Sequence, residues 1–208
     1  MKKILFIDTL TTGMNTERCA IYRLGGIYTE DGVEKERIDL KVRPFENARI
    51  NDQSLWIGRV DRSIVLTHQR QDEAFAVFAE FLGRHVDIRN AYDKIYLAGF
   101  NISAFDVPFI WEWFRRNGNE RFRDYFHMQN IDLISIAAFG LMDQRRGMND
   151  FKLESVAREL GIDTGDGDTC DCLQNARTAL EIFWKLQYRY GIAQYETYDD
   201  ADLIKRSY

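Results

Sequence analysis

The chain has 208 residues, 45% of them hydrophobic and 13% aromatic, enough apolar material for a core of the size that one domain usually holds. A formal charge of -5 and a pI near 5.3 exclude a protein that coats nucleic acid by bulk electrostatics, so any nucleic-acid contact must be local. Three cysteines, an odd number, with no signal-like segment and no apolar run of transmembrane length, predict a reducing, cytoplasmic setting and no membrane partner.

With two prolines, no repeat and no low-complexity tract, nothing marks an internal boundary. The expected organisation is one domain over residues 1–187 and an acidic, tyrosine-bearing tail over 188–208, which would pack on the domain, fray or dock on a partner. In chain order, Ile4–Ile7 reads as a buried strand. Ala20–Thr29 and Glu34–Val42 read as two more, joined at the Glu30-Asp31-Gly32 turn. A long irregular loop leads to residues 72–85, where Phe75, Phe78, Phe81 and Leu82 recur at helical spacing. The run 94–100 reads as a strand, and Ala104–Arg116 as a helix that Ser103 could cap. Segments 131–142, 151–160 and 172–190 read as helices, the last with Leu173, Ala176, Leu180 and Phe183 or Trp184 on one face. This order predicts an α/β fold, a mixed central sheet flanked by helices.

Four segments, FIDTLTTG, LAGFNISAFDVPF, FKLESVAREL and DTCDCLQNARTALEIF, fall in the order and approximate spacing of the DEDD (DnaQ-like) 3′–5′ exonuclease motifs. From about residue 3 to residue 187 the chain resembles that family, to which the proofreading epsilon subunit of bacterial DNA polymerase III belongs. The resemblance implies a ribonuclease H-like fold, two magnesium or manganese ions, and removal of nucleotides one at a time from a 3′ end.

Such chemistry needs converging carboxylates, because two ions about 4 Å apart activate a water and stabilise the leaving oxygen. Residues i and i+2 of a strand share a face, so an Asp-X-Glu pair at a strand end directs both acids to the metals. Here that pair reads Asp8, Thr9, Leu10. The second motif keeps its acid, Asp106, after Phe105. In the last motif the family's general-base histidine and, five residues on, its final aspartate fall on Cys170 and Asn175. Three of the five catalytic positions are therefore substituted. His68, His85 and His127 all lie upstream and no glutamate precedes Glu17, so no nearby shift of the alignment recovers them. Asp166, Asp168 and Asp171 lie near the last motif as candidate substitute ligands, but loop acids there are expected to be solvated, with Asp168 or Asp171 capping the helix start.

With only Asp8 and Asp106 retained, magnesium or manganese is expected to bind weakly or not at all. A missing general base forfeits about a hundredfold to ten-thousandfold of rate. Leu10 is expected to pack on apolar neighbours or, in a sharper reading, to keep the site dry so that a strand end is held uncut. By resemblance, Thr11, Thr12, Gly13 and Met14 lie beside the terminal nucleotide, with Asn101 and Phe105 on the opposite wall. Lys152, with Arg145 and Arg146, forms a local basic cluster that can meet phosphate, and residues 114–123 supply another. Cys170 and Cys172 read as small buried hydrophobes, since structural zinc needs four ligands.

Three functions stay open. One is a module that binds single-stranded 3′ ends, DNA in preference to RNA, with impaired hydrolysis. Another is a slow metal-dependent exonuclease using Asp8 and Asp106. The last is a non-catalytic interaction subunit of a replication, repair or defence complex, docking on a polymerase or another replication protein.

Overall fold

The structure is a computed structural model and describes residues 1–164 and 170–189. Three strands open the chain, β1 (Lys3–Thr11), β2 (Ile21–Glu30) and β3 (Val33–Lys41), each antiparallel to the next. Helices α1 (Asp52–Ile57), α2 (Arg62–Val65) and α3 (Gln71–His85) lead to β4 (Tyr96–Gly99), which joins β1 in parallel. After α4 (Asp106–Arg116) and α5 (Phe122–Tyr125), the short β5 (Ile131–Asp132) pairs in parallel with β4. Helices α6 (Leu133–Gly140), α7 (Leu153–Glu159) and α8 (Cys172–Arg189) follow. The strand order β3-β2-β1-β4-β5 makes a mixed five-stranded sheet with helices on both faces, the predicted class.

Alternation along β1 decides which helices each residue meets. Leu5 and Ile7 join Phe75, Phe78 and Phe81 of α3 and Trp113 and Phe114 of α4 in one core. Ile4 and Phe6 join Ala137 of α6, Val156 of α7 and Ala176, Leu180 and Phe183 of α8 in a second core on the other face. Asp8 and Leu10 continue the even-numbered series and stand on the α8 side.

Several boundaries differ from the sequence reading, each for a tertiary reason. Strand β1 continues four residues past Ile7 because its partner β2 extends alongside it to Ile21, and the β-branched Thr9 and Thr11 suit a buried strand. The segment read as an irregular loop carries α1 and α2, which are too short to show a periodic stripe. Ile131 and Asp132 pair as β5 instead of opening a helix, and Asp132 caps α6 by accepting the Ile134 N–H at 3.3 Å. Helix α4 starts at Asp106, so Ser103 is not its cap. The N–H groups of Asn101 and Ser103 donate instead to the Asp132 carboxylate, at 2.8 and 2.9 Å, and hold residues 101–105 as a turn on β5. Helix α8 runs to Arg189, two residues beyond the expected domain end, and the tail after it lies outside the described residues. No described helix is long and apolar enough to cross a membrane.

Candidate active site

Strand β1 outruns β4. The two pair only over Ile4–Phe6 and Tyr96–Ala98, so beyond Phe6 one edge of β1 lacks a strand neighbour. The N-terminus of α4 fills that gap. Asp106, 3% exposed, accepts the Thr9 N–H at 2.8 Å and the Thr9 hydroxyl at 2.7 Å, both on Oδ1. The carboxyl thus satisfies a backbone donor that would otherwise be buried without a partner. Burial holds the Asp106 carboxyl well above the usual range and the Asp8 charge adds to the rise, which the Thr9 bonds only partly oppose.

On the α8 side Asp8 lies opposite Gly25 of β2. A side chain at Gly25 would meet the Leu173 backbone nitrogen at 2.4 Å, so glycine there lets the first turn of α8 lie directly on the sheet. That approach brings Asn175 to Asp8, its side-chain amide donating to Oδ2 at 3.1 Å. Asp171 caps α8, accepting the N–H groups of Leu173 and Gln174 at 2.9 and 3.1 Å. Arg23 fastens this corner. Its guanidinium lies 3.3 Å from Asp171, donates to the Cys170 carbonyl at 3.1 Å and pairs with Asp39 on β3. Burial raises the Asp8 pKa to about 6 against the lowering effect of its bonds with Asn175 and Cys172, while Glu154 of α7 pushes it up and Arg23 pulls it down.

Leu10 is half-buried and packs, with Ile50 and Val60, on Tyr22, Leu55 and Val65, a small third core that α1 and α2 build. This is the packing expected of it. Helix α1 is tied to the site at both ends: the Asn51 N–H donates to the Thr12 carbonyl at 2.8 Å, and the Cys170 thiol donates to the Ile57 carbonyl at 3.0 Å. Cys170 and Cys172 are buried thiols, the environment expected for them. Cys172 sits beside Asp8, and burial pushes its thiol well above the ordinary value. Asp166 and Asp168 lie outside the described residues, and Asp171 is engaged by the helix start and Arg23. Among the described residues no group of three or more His, Cys, Asp or Glu side chains is arranged to hold a metal ion.

The residues expected beside a nucleotide are only partly available. The Thr11 hydroxyl donates to the Gly13 carbonyl at 2.8 Å; that of Thr12 donates to the Arg49 carbonyl at 2.7 Å and accepts the Ala20 N–H at 2.9 Å. Both hydroxyls hold the loop. Gly13 lies against Cys19, whose sulfur would be 2.6 Å from a Cβ there. Met14 projects outward, 79% exposed. Asn101 is exposed and adopts the left-handed region at φ 64, and Phe105 packs on Phe109 with ring centroids 5.1 Å apart. Lys152 is exposed at the start of α7, two residues before the Glu154 that Asp8 feels. Arg145 and Arg146 are exposed, and Arg145 lies over the Phe151 ring. The basic run 114–123 does not converge on the site. It begins near the far end of α4, roughly 12 Å of helix from Asp106, where Arg115 and Arg116 pair with Glu112 and Arg123 lies over Trp111.

Sequence reasoning missed Arg23, Asp132, and Trp56 with Ile57, which are 79% and 60% exposed on α1. Asp132 alone left a signal, an acid directly before the apolar run of α6.

No protein-family model and no curated protein matches this sequence. Solved structures do match its fold. E. coli exonuclease I in complex with a dT13 oligonucleotide aligns with a TM-score of 0.71 and 17% identity, over 92% of this chain and 43% of that one. The moderately thermophilic exonuclease I from Methylocaldum szegediense aligns at 0.74 and 16%, over 92% and 41%. A zinc-bound complex of E. coli exonuclease I with single-stranded DNA aligns at 0.72 and 16%, also over 92% and 41%. This chain therefore spans about two fifths of the length of those proteins, and at such identities the likeness is one of fold. The fold is the ribonuclease H-like fold of the exonucleases.

Proposed function

We propose that this chain grips the 3′ end of a single nucleic-acid strand, DNA in preference to RNA, and that its hydrolysis is impaired. The observation that carries the reading is the Asn175–Asp8 hydrogen bond. In a two-ion nuclease two carboxylates at these places are held together by cations; here a neutral amide donates to a lone carboxylate and removes the need for one. Thr9 occupies Oδ1 of Asp106, and Leu10 offers no oxygen. These residues do not fit a pair of divalent ions, each of which demands several oxygen ligands. Nor does an imidazole stand at Cys170 to take a proton from water.

What the molecule offers a strand is surface. Trp56 is exposed for stacking, Met14 and Ile57 for apolar contact, and Lys152 and Arg145 for phosphate. The fold likeness to exonuclease I structures determined with oligonucleotides supports a strand-end role, and the motif order supports kinship with the epsilon-like exonucleases. In this reading the protein works in the cytoplasm beside replication or repair enzymes.

The test is digestion of an end-labelled single strand in magnesium or manganese. The wild type is expected to leave it intact, and the triple variant Leu10→Glu, Cys170→His, Asn175→Asp to shorten it stepwise. Shortening by the wild type at the variant's rate would refute the reading in favour of a slow nuclease. A second reading, the non-catalytic docking subunit, is favoured by exposed Phe139 and Met142 beside a hollow lined by Ala138, Met142, Arg145 and Phe151. It takes precedence if no strand binds even at low salt.

A further inference from the structure

Building on the strand-end reading, we propose that Leu10 makes this site select against hydroxyl groups on the terminal sugar. An end that lacks its 3′-hydroxyl is held more tightly than an ordinary DNA end, and a ribonucleotide end is held least.

Three observations meet at the tip of β1. Leu10 is half-buried, on the face that carries Asp8, and presents only hydrocarbon. Two residues of strand separate the pair by about 7 Å, so the Asp8–Asn175 hydrogen bond does not extend to the tip. The hydroxyls of Thr11 and Thr12, the residues after Leu10, are engaged with the Gly13 and Arg49 carbonyls, and the guanidinium of Arg23, opposite Leu10 on β2, is taken up by Asp39, Asp171 and the Cys170 carbonyl. The backbone N–H and carbonyl of Thr12 are engaged as well, with Ala20 and Asn51. The rim is apolar too. Leu10 packs on Leu55, next in the chain to exposed Trp56 and Ile57, and leads through residues 11–13 into exposed Met14.

In the strand-end reading, bases stack on exposed Trp56 and Met14 and the terminal sugar meets Leu10. A sugar hydroxyl pressed on that wall gives up its water and gains no partner, a loss of about fivefold to 150-fold in affinity for each hydroxyl. The same wall is indifferent to a carbon that bears only hydrogen. Leu10 is thus a specificity-determining residue, and the ligand class it favours is a DNA strand ending in a 2′,3′-dideoxynucleotide.

Fluorescence anisotropy tests this with three labelled oligonucleotides identical except for a 3′-terminal dideoxycytidine, deoxycytidine or ribocytidine, in EDTA so that no strand is cut. The expected order of affinity is dideoxy, deoxy, ribo, each step about fivefold or more. Leu10→Gln, which supplies an amide at the wall, is expected to collapse the order, and Leu10→Met, which keeps the volume and the apolarity, to preserve it. Equal affinities, or tighter binding of the hydroxyl-bearing ends, would overturn the inference and leave the strand-end reading standing. An order unchanged in Leu10→Gln would remove Leu10 as its cause. Binding of none of the three, with the thermal transition of the wild type intact, would overturn the strand-end reading and this inference together.

Discussion

Asp8 and Tyr22 are buried polar groups whose replacement is expected to stabilise the protein, in a pH-dependent way only for Asp8. Because the folded pKa of Asp8 is raised to about 6, the native state holds its proton across a range where the unfolded chain has released it. Its contribution therefore favours the native state at low pH and is lost as pH rises through about 6. His68 and His127, whose pKa values burial lowers, oppose that trend, so the difference between wild type and Asp8→Asn is the useful quantity. In urea unfolding, the stability gained by Asp8→Asn should be larger at pH 7 than at pH 5 by about 1 kcal/mol. A gain that is the same at both pH values would show that Asp8 is not buried as described. The Tyr22 hydroxyl is buried without a hydrogen-bond partner among the described residues, beside Gly58. Tyr22→Phe should stabilise the protein by about 1 kcal/mol or more in the same assay.

At the scale of elements, Gly25 is the hinge of the site. Alanine there would place a carbon on the backbone of α8, so Gly25→Ala is expected to cost about 2–3 kcal/mol by urea unfolding and to move the first turn of α8 away from Asp8. The elements legible in the sequence were those with strong local periodicity, the three opening strands and the phenylalanine stripe of α3. Those it hid depend on contacts from far along the chain. Strand β5 has two residues and exists because β4 is beside it, and the start of α4 moved because Asp132 binds Asn101 and Ser103 from 31 and 29 residues away. The site divides the same way. Asp8, Leu10, Asp106, Cys170 and Asn175 could be found from motif order, whereas Arg23 and Gly25 join the site only through α8, which lies about 150 residues downstream.

The whole molecule is acidic, so a strand can be held only by a few local contacts. Affinity for single-stranded DNA should fall with added salt, with a slope set by two or three phosphates, and Met14→Ala should weaken binding by about fivefold through lost stacking. A slope like that of a basic DNA-coating protein would contradict this picture. The fold supplies the frame of an exonuclease, and in the proposed reading the amide and the threonine that contact Asp8 and Asp106 replace cation bridges. An anomalous difference map from a manganese-soaked crystal addresses that replacement most directly. No pair of ordered peaks is expected between Asp8 and Asp106, and Asn175 should remain on Asp8; two well-ordered ions bridging those carboxylates would contradict the account.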